Sequence, residues 1–121
     1  MKMSEVQYDE AVPIEGYGPG FFRVGGEIIE GGAIIHATGA RSWQGYDDLD
    51  SVLALGGKVD VILMGTGETM APIPATFKEP LEAAGIGVEP MASASACRTY
   101  NVLVSEGRRV AAVVLPVGAA D

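Results

Sequence analysis

The sequence predicts an α/β domain with a mixed central sheet and a small antiparallel layer. Two observations carry this. Residues 59–115 alternate apolar runs with helical stripes in the order β-α-β-α-β, and short crossovers of that kind favour a mostly parallel sheet. Residues 21–37 hold three short apolar runs separated by Gly-Gly pairs, the pattern of a hairpin meander. A chain of 121 residues, 48% apolar and 20% charged, has the material for one packed core, so a single domain over residues 1–121 is expected.

The elements follow in order. Residues 1–16 mix charge with Pro13 and Gly16 and are expected to be loosely ordered or edge-like. The runs 21–24, 27–30 and 33–37 read as three antiparallel strands, because two-residue hairpin loops demand a positive φ that glycine reaches without a Cβ clash. "YDDLDSVLALGG" reads as a helix, with Asp47 or Asp48 as its cap and Leu49, Val52 and Leu53 as its apolar stripe. "VDVILM", 59–64, is almost continuously apolar, as in a strand covered on both faces. A second helix is expected near 76–84, opened by a capping-box pair, Thr76 and Glu79, with Pro80 early enough to be tolerated. "IGVEPM", 86–91, is a short strand. Ser93 or Ser95 caps a last helix that runs to about Glu106, where Gly107 stops it, and a buried strand closes the pattern near 109–115.

Composition limits function. Net charge is −8, from 16 acidic and 8 basic residues, which argues against general affinity for nucleic acid or anionic membrane. The same balance permits a basic or mixed-charge protein partner. One cysteine forms no internal disulfide, and neither a leader peptide nor a membrane-spanning run is recognised, so a bacterial-type cytoplasm is expected. One histidine and one cysteine do not make a structural zinc site, and no metal or cofactor is expected.

Two stretches carry the candidate chemistry. "MGTGET", 64–69, is a glycine loop behind a buried strand, where α/β proteins often bind ligands. It lacks the third glycine of a dinucleotide fingerprint and the Lys-Ser/Thr pair of a phosphate loop, so a glycine-rich turn is the better reading. "ACRTYN", 96–101, falls on the last helix. At 100° per residue, Ala96, Tyr100, Leu103 and Val104 share one face. Cys97 lies at its edge, and Arg98 and Asn101 turn outward or toward a neighbouring loop. An early helical position beside Arg98 would lower a thiol pKa, but covalent catalysis also needs a base, and nothing brings His36 to Cys97. Cys97 is therefore read as packing. If the strands over 59–64 and 86–91 are parallel neighbours, the loop Gly65, Thr66, Gly67 and Glu68 meets the start of the last helix. Free N–H groups, Cys97, Arg98 and Asn101 would then border a crevice for an anion or a partner's carboxylate. The alternative is that Arg98 pairs with Glu68 or Glu89 and locks the loop.

These residues resemble a known family. "GTGE" after a buried strand, "GIGVEPMASASACRTYNVLVSEGRRVAAVVLP" and the spacing between them are similar to the small domain family that includes assembly factor 3 of mitochondrial respiratory complex I. The match runs from about Tyr17 to Pro116. Shared positions are Gly65, Gly67, Glu89, Met91, Cys97, Arg98, Thr99, Tyr100, Asn101, Glu106 and Arg108. The chain departs from the family pattern at Pro90, where an aliphatic residue is expected, and at Ala92-Ser93, where an Asp/Asn-Thr pair is common. The resemblance implies a three-layer fold on a mixed five-stranded sheet, an assembly role with protein partners, and no catalytic residues. The resulting expectation is a non-catalytic interaction module, with assembly of a respiratory membrane complex as its candidate role, docking through the loop and the helix start. An enzyme or small-anion binder using the same crevice is the rival. The oligomeric state is left open.

Overall fold

The computed structural model describes residues 5–7 and 9–118. In chain order the elements are β1 (Glu5–Gln7), β2 (Ile14–Gly18), β3 (Phe21–Val24), β4 (Glu27–Glu30), β5 (Gly32–His36), β6 (Gly39–Trp43), α1 (Leu49–Leu53), β7 (Val61–Gly65), α2 (Ala75–Ala83), β8 (Gly87–Met91), α3 (Ser93–Ser105) and β9 (Val110–Val114). The central sheet has the order β1-β6-β5-β9-β7-β8. Its five longer strands form the expected mixed sheet, and the three-residue β1 is added at one edge. Strand β7 runs parallel to both β8 and β9, as the β-α-β-α-β pattern predicts.

The sheet separates two cores because its strands alternate faces. Ile62, Met64, Ala111 and Val113 face α1 and α2 and meet Val52, Phe77 and Leu81. Leu63, Val110, Ala112 and Val114 face α3 and the second sheet, where Ala96, Cys97, Tyr100, Phe22 and Ile29 pack. Burial on both sides explains the unbroken apolar run in β7 and the five fully buried residues of β9. Three layers result: two helices, the sheet, then α3 beside a three-stranded antiparallel sheet ordered β2-β3-β4.

The meander is corrected in its membership. Gly25 and Gly26 do form the expected hairpin, with φ of 58° and 81°. The pair Gly31-Gly32 does not. Only Gly31 is left-handed, at φ 80°, and β5 leaves the small sheet to pair with β6 and β9. Gly32 serves close packing instead, since a Cβ there would sit 2.8 Å from the Trp43 carbonyl oxygen. The third strand of the small sheet is β2, an edge strand drawn from the stretch expected to be loosely ordered or edge-like, with a bulge between Ile14 and Gly16. Residues 1–4 and 8 of that stretch lie outside the described residues.

Two caps also differ from expectation. The α1 cap is as expected: Asp48 accepts from the Ser51 N–H at 3.4 Å, and the differences lie in α2 and α3. Helix α2 starts one residue early, capped by the Pro74 backbone, whose carbonyl accepts from Phe77 and Lys78. Thr76 is then already inside the helix, so the Thr76–Glu79 box does not form. Neither Ser93 nor Ser95 caps α3; the cap is Ala92, without a side-chain bond. Ser93 is buried inside the first turn and has other partners.

Candidate functional site

The glycine loop and the start of α3 meet at the carboxyl end of the parallel strands. Gly65 closes β7 between Met91 of β8 and Val114 of β9. The next N–H, of Thr66, donates to the Met91 carbonyl at 2.8 Å, so the loop stays anchored as it leaves the sheet. Gly67 turns with φ 108°, a conformation glycine adopts freely. Its N–H donates to Ser93 Oγ at 3.0 Å, and its carbonyl accepts from the Ser93 N–H at 2.9 Å. Ser93 Oγ in turn donates to the Leu115 carbonyl at 2.7 Å. One buried hydroxyl thus ties the loop, the helix start and the exit of β9 together.

The rest of the loop is self-braced. Thr66 Oγ1 donates to the Thr69 carbonyl at 2.7 Å and accepts from the Ala71 N–H at 2.9 Å. Gly65 has no room for a side chain: a Cβ there would lie 2.7 Å from both Ser93 Oγ and Val114 Cγ1. The Gly67 and Ser93 N–H groups, which an anion in this place would address, are both engaged within the protein. An anion addressing these two N–H groups would have to displace a hydrogen-bonded pair.

The residues from α3 diverge. Cys97 is buried, 4% exposed, among the apolar side chains on the α3 face of the sheet. Burial pushes its thiol up to about 11, with Arg98 pulling only partly back. It is a protonated packing group near neutral pH, not a thiolate nucleophile. Arg98 is exposed and donates to Ser95 Oγ at 3.3 Å, and among the described residues it has no ion pair with Glu68 or Glu89. Asn101 faces β2. Its Oδ1 accepts from the Ile14 N–H at 2.8 Å and its Nδ2 donates to the Ile14 carbonyl at 2.9 Å. A carboxamide is the side chain that reproduces a peptide's donor and acceptor pair, so Asn101 joins α3 to the small sheet as a strand neighbour would. Replacing Asn101 with alanine orphans both Ile14 groups and is expected to cost about 1–3 kcal/mol, read from urea midpoints.

The Cys97 shift has a pH consequence. The thiol ionises near 9.0 when unfolded and near 11 when folded, so the folded state holds its proton longer. Stability from this group is complete below the lower value and is lost as pH rises through the window. The loss is on the order of 3 kcal/mol, and urea midpoints of a Cys97→Ala variant should lack that fall relative to the parent chain.

Glu68 and Met70 lie at the outer side of the same end. Met70 is 62% exposed and Tyr17 is 45% exposed. Tyr17, Gly18, Pro19, Val117 and Gly118 line an apolar depression of about 210 Å³. A side chain at Gly118 would place its Cβ 3.9 Å from Glu68 Oε1, so the carboxylate borders that depression. Sequence reasoning missed Tyr17, Met70 and the double role of Ser93, because exposure and cross-chain bonding have no local signature. No group of three or more His, Cys, Asp or Glu side chains is placed to hold a metal among the described residues.

Residues 14–115 match the family described as "Protein of unknown function (DUF498/DUF598)". The chain belongs to this family. An uncharacterised protein of Rhodobacter capsulatus is 50% identical over 117 residues, covering 97% of this chain and 94% of that one. The crystal structure of an outer membrane protein from Bartonella henselae superposes with a TM-score of 0.80 at 30% identity, covering 91% of this chain and 98% of the other. The resemblance to assembly factor 3 also holds. The NADH dehydrogenase [ubiquinone] 1 alpha subcomplex assembly factor 3 of Danio rerio is 28% identical over 110 residues, covering 85% of this chain but 63% of that protein. Among the described residues, no helix is long and apolar enough to cross a membrane.

Proposed function

We propose that the chain is a single-domain, non-catalytic interaction module that helps to assemble a larger protein complex. The observation that carries this is exposed apolar side chains at the loop end: Met70, 62% exposed, lies on the braced loop two residues along the chain from Glu68, whose carboxylate borders the Tyr17–Gly118 depression. Apolar side chains held on a pre-ordered backbone lose little entropy when a partner covers them, and a methionine adapts to varied partner shapes. Glu68 adds one charge for orientation. The buried, protonated Cys97 and the engaged Gly67 and Ser93 N–H groups favour docking over chemistry at this end.

The likeness to complex I assembly factors supports a respiratory version of this role, with another assembly factor or a respiratory subunit as the proposed partner and a bacterial cytoplasm as the proposed compartment. Deleting the gene in its source cell tests it. The amount of assembled respiratory NADH dehydrogenase should fall several-fold while unrelated membrane complexes keep their level, and the protein should fractionate with the cytoplasm. An unchanged amount removes the respiratory reading.

A further inference from the structure

The sheet has a second end, opposite the glycine loop. There β7 and β9 begin and β5 finishes, at Val61, Val110 and His36. A depression of about 500 Å³ opens between them, within the size range of small-molecule pockets, about 300–1,000 Å³. Its floor is apolar: Val59 and Val110 are buried and Val104 is half-buried. His36, Lys58 and Arg108 line its polar side. A smaller hollow of about 100 Å³ adjoins through His36 and Lys58 and is bordered by Arg41 and Glu5.

The charge here runs against the rest of the molecule. Arg41, Lys58, Arg108 and Arg109 gather at these two hollows, four of the eight basic residues, against one lining carboxylate, Glu5, in a chain with 16 acidic residues. Arg109 has structural work, donating to the Gly57 carbonyl at 3.0 Å and pairing with Asp60 at 3.4 Å. Lys58 and Arg108 make no ion pair among the described residues. Thr38 donates its N–H to His36 Nδ1 at 3.4 Å, which leaves the proton of the neutral ring on Nε2. Burial holds His36 below its ordinary pKa, and Lys58 lowers it further against the opposing pull of Glu5. Cations above a concave apolar wall focus their field into the hollow.

We propose that this depression binds a small organic monocarboxylate, its apolar body resting on Val59, Val104 and Val110 and its carboxylate held by Lys58 and Arg108. The apolar floor favours a singly charged head over a phosphate dianion, which loses more hydration on entry. A merely solvated basic patch would lack that floor and would not select for an apolar body.

Amide NMR titration with hexanoate, 1-hexanol and inorganic phosphate tests the assignment. Hexanoate should shift the amides of Ala37, Thr38, Lys58 and Arg108, saturating in the low-millimolar range or below, at roughly −4 kcal/mol or better. Hexanol, which lacks the charge, and phosphate, which lacks the apolar body, should each bind at least roughly tenfold more weakly. The Lys58→Ala, Arg108→Ala double variant should keep the native spectrum, since both side chains are exposed, and lose hexanoate affinity roughly tenfold. Lys58→Ala alone gives the same reading at smaller amplitude. No shift with hexanoate, equal binding of hexanol or phosphate, or unchanged affinity in the variants overturns the proposal.

Discussion

Replacing Gly65 with valine is expected to be the most destabilising single change near the loop. The Cβ alone would stand 2.7 Å from Ser93 Oγ and Val114 Cγ1, and 2.9 Å from the backbone Cα of Ser93. The first two contacts involve short, packed side chains and the third is main chain, so nothing can swing aside. Relief requires pushing α3 off the sheet, which also pulls on the Ser93 bonds to Gly67 and Leu115. Overpacking of a dense interior usually costs about 1–3 kcal/mol, and a backbone clash belongs at or above the top of that range. Urea unfolding should show a midpoint far below the parent's, or no folded baseline. A midpoint near that of the parent would show that α3 has slack the geometry denies it.

Ser93→Ala is expected to have the next largest effect, by a different mechanism. It creates little void but deletes the acceptor of the Gly67 N–H and the donor to the Leu115 carbonyl. Ser93 is 0% exposed, so water does not replace these bonds without opening the loop. A loss of about 2–4 kcal/mol is expected for two orphaned groups. Hydrogen exchange at Gly67 should accelerate more than exchange in β9, which keeps its sheet partners. Uniform acceleration across the sheet would mean that Ser93 supports global stability and does not specifically brace the loop.

Legibility from sequence followed how local each cause is. Strands β7 and β9 and helix α3 were readable because burial on both faces writes an apolar run and one helical face writes a period. The Gly25-Gly26 hairpin was readable because both glycines are left-handed within one turn. Gly31-Gly32 looks the same on paper, yet its fate is set by β9, which draws β5 into the central sheet from far along the chain. Strand β6 was not identified, because Arg41 and Ser42 interrupt its apolar residues. The Thr76–Glu79 motif failed because Pro74 supplied an earlier start.

The candidate site divides in the same way. That the loop would meet the start of α3 followed from two parallel strands, and the Gly67–Ser93 pair shows the contact. That Asn101 leaves the face shared by Ala96 and Tyr100 followed from helical geometry, but its half-buried place against the Ile14 peptide required knowing that β2 lies there. Cys97 packs as its apolar neighbours suggested, and burial outweighs Arg98 in setting its pKa.

The role assigned to the loop end is tested most directly by complementation of the deletion strain with a Glu68→Lys, Met70→Lys double variant. Both side chains are exposed, so the fold should persist, and a native amide spectrum checks this. The readout is the amount of assembled respiratory NADH dehydrogenase. The account predicts that the parent chain restores it and that the double variant restores less than roughly a third, since a reversed charge and a lost apolar contact each weaken docking. Full restoration by the folded double variant would contradict it.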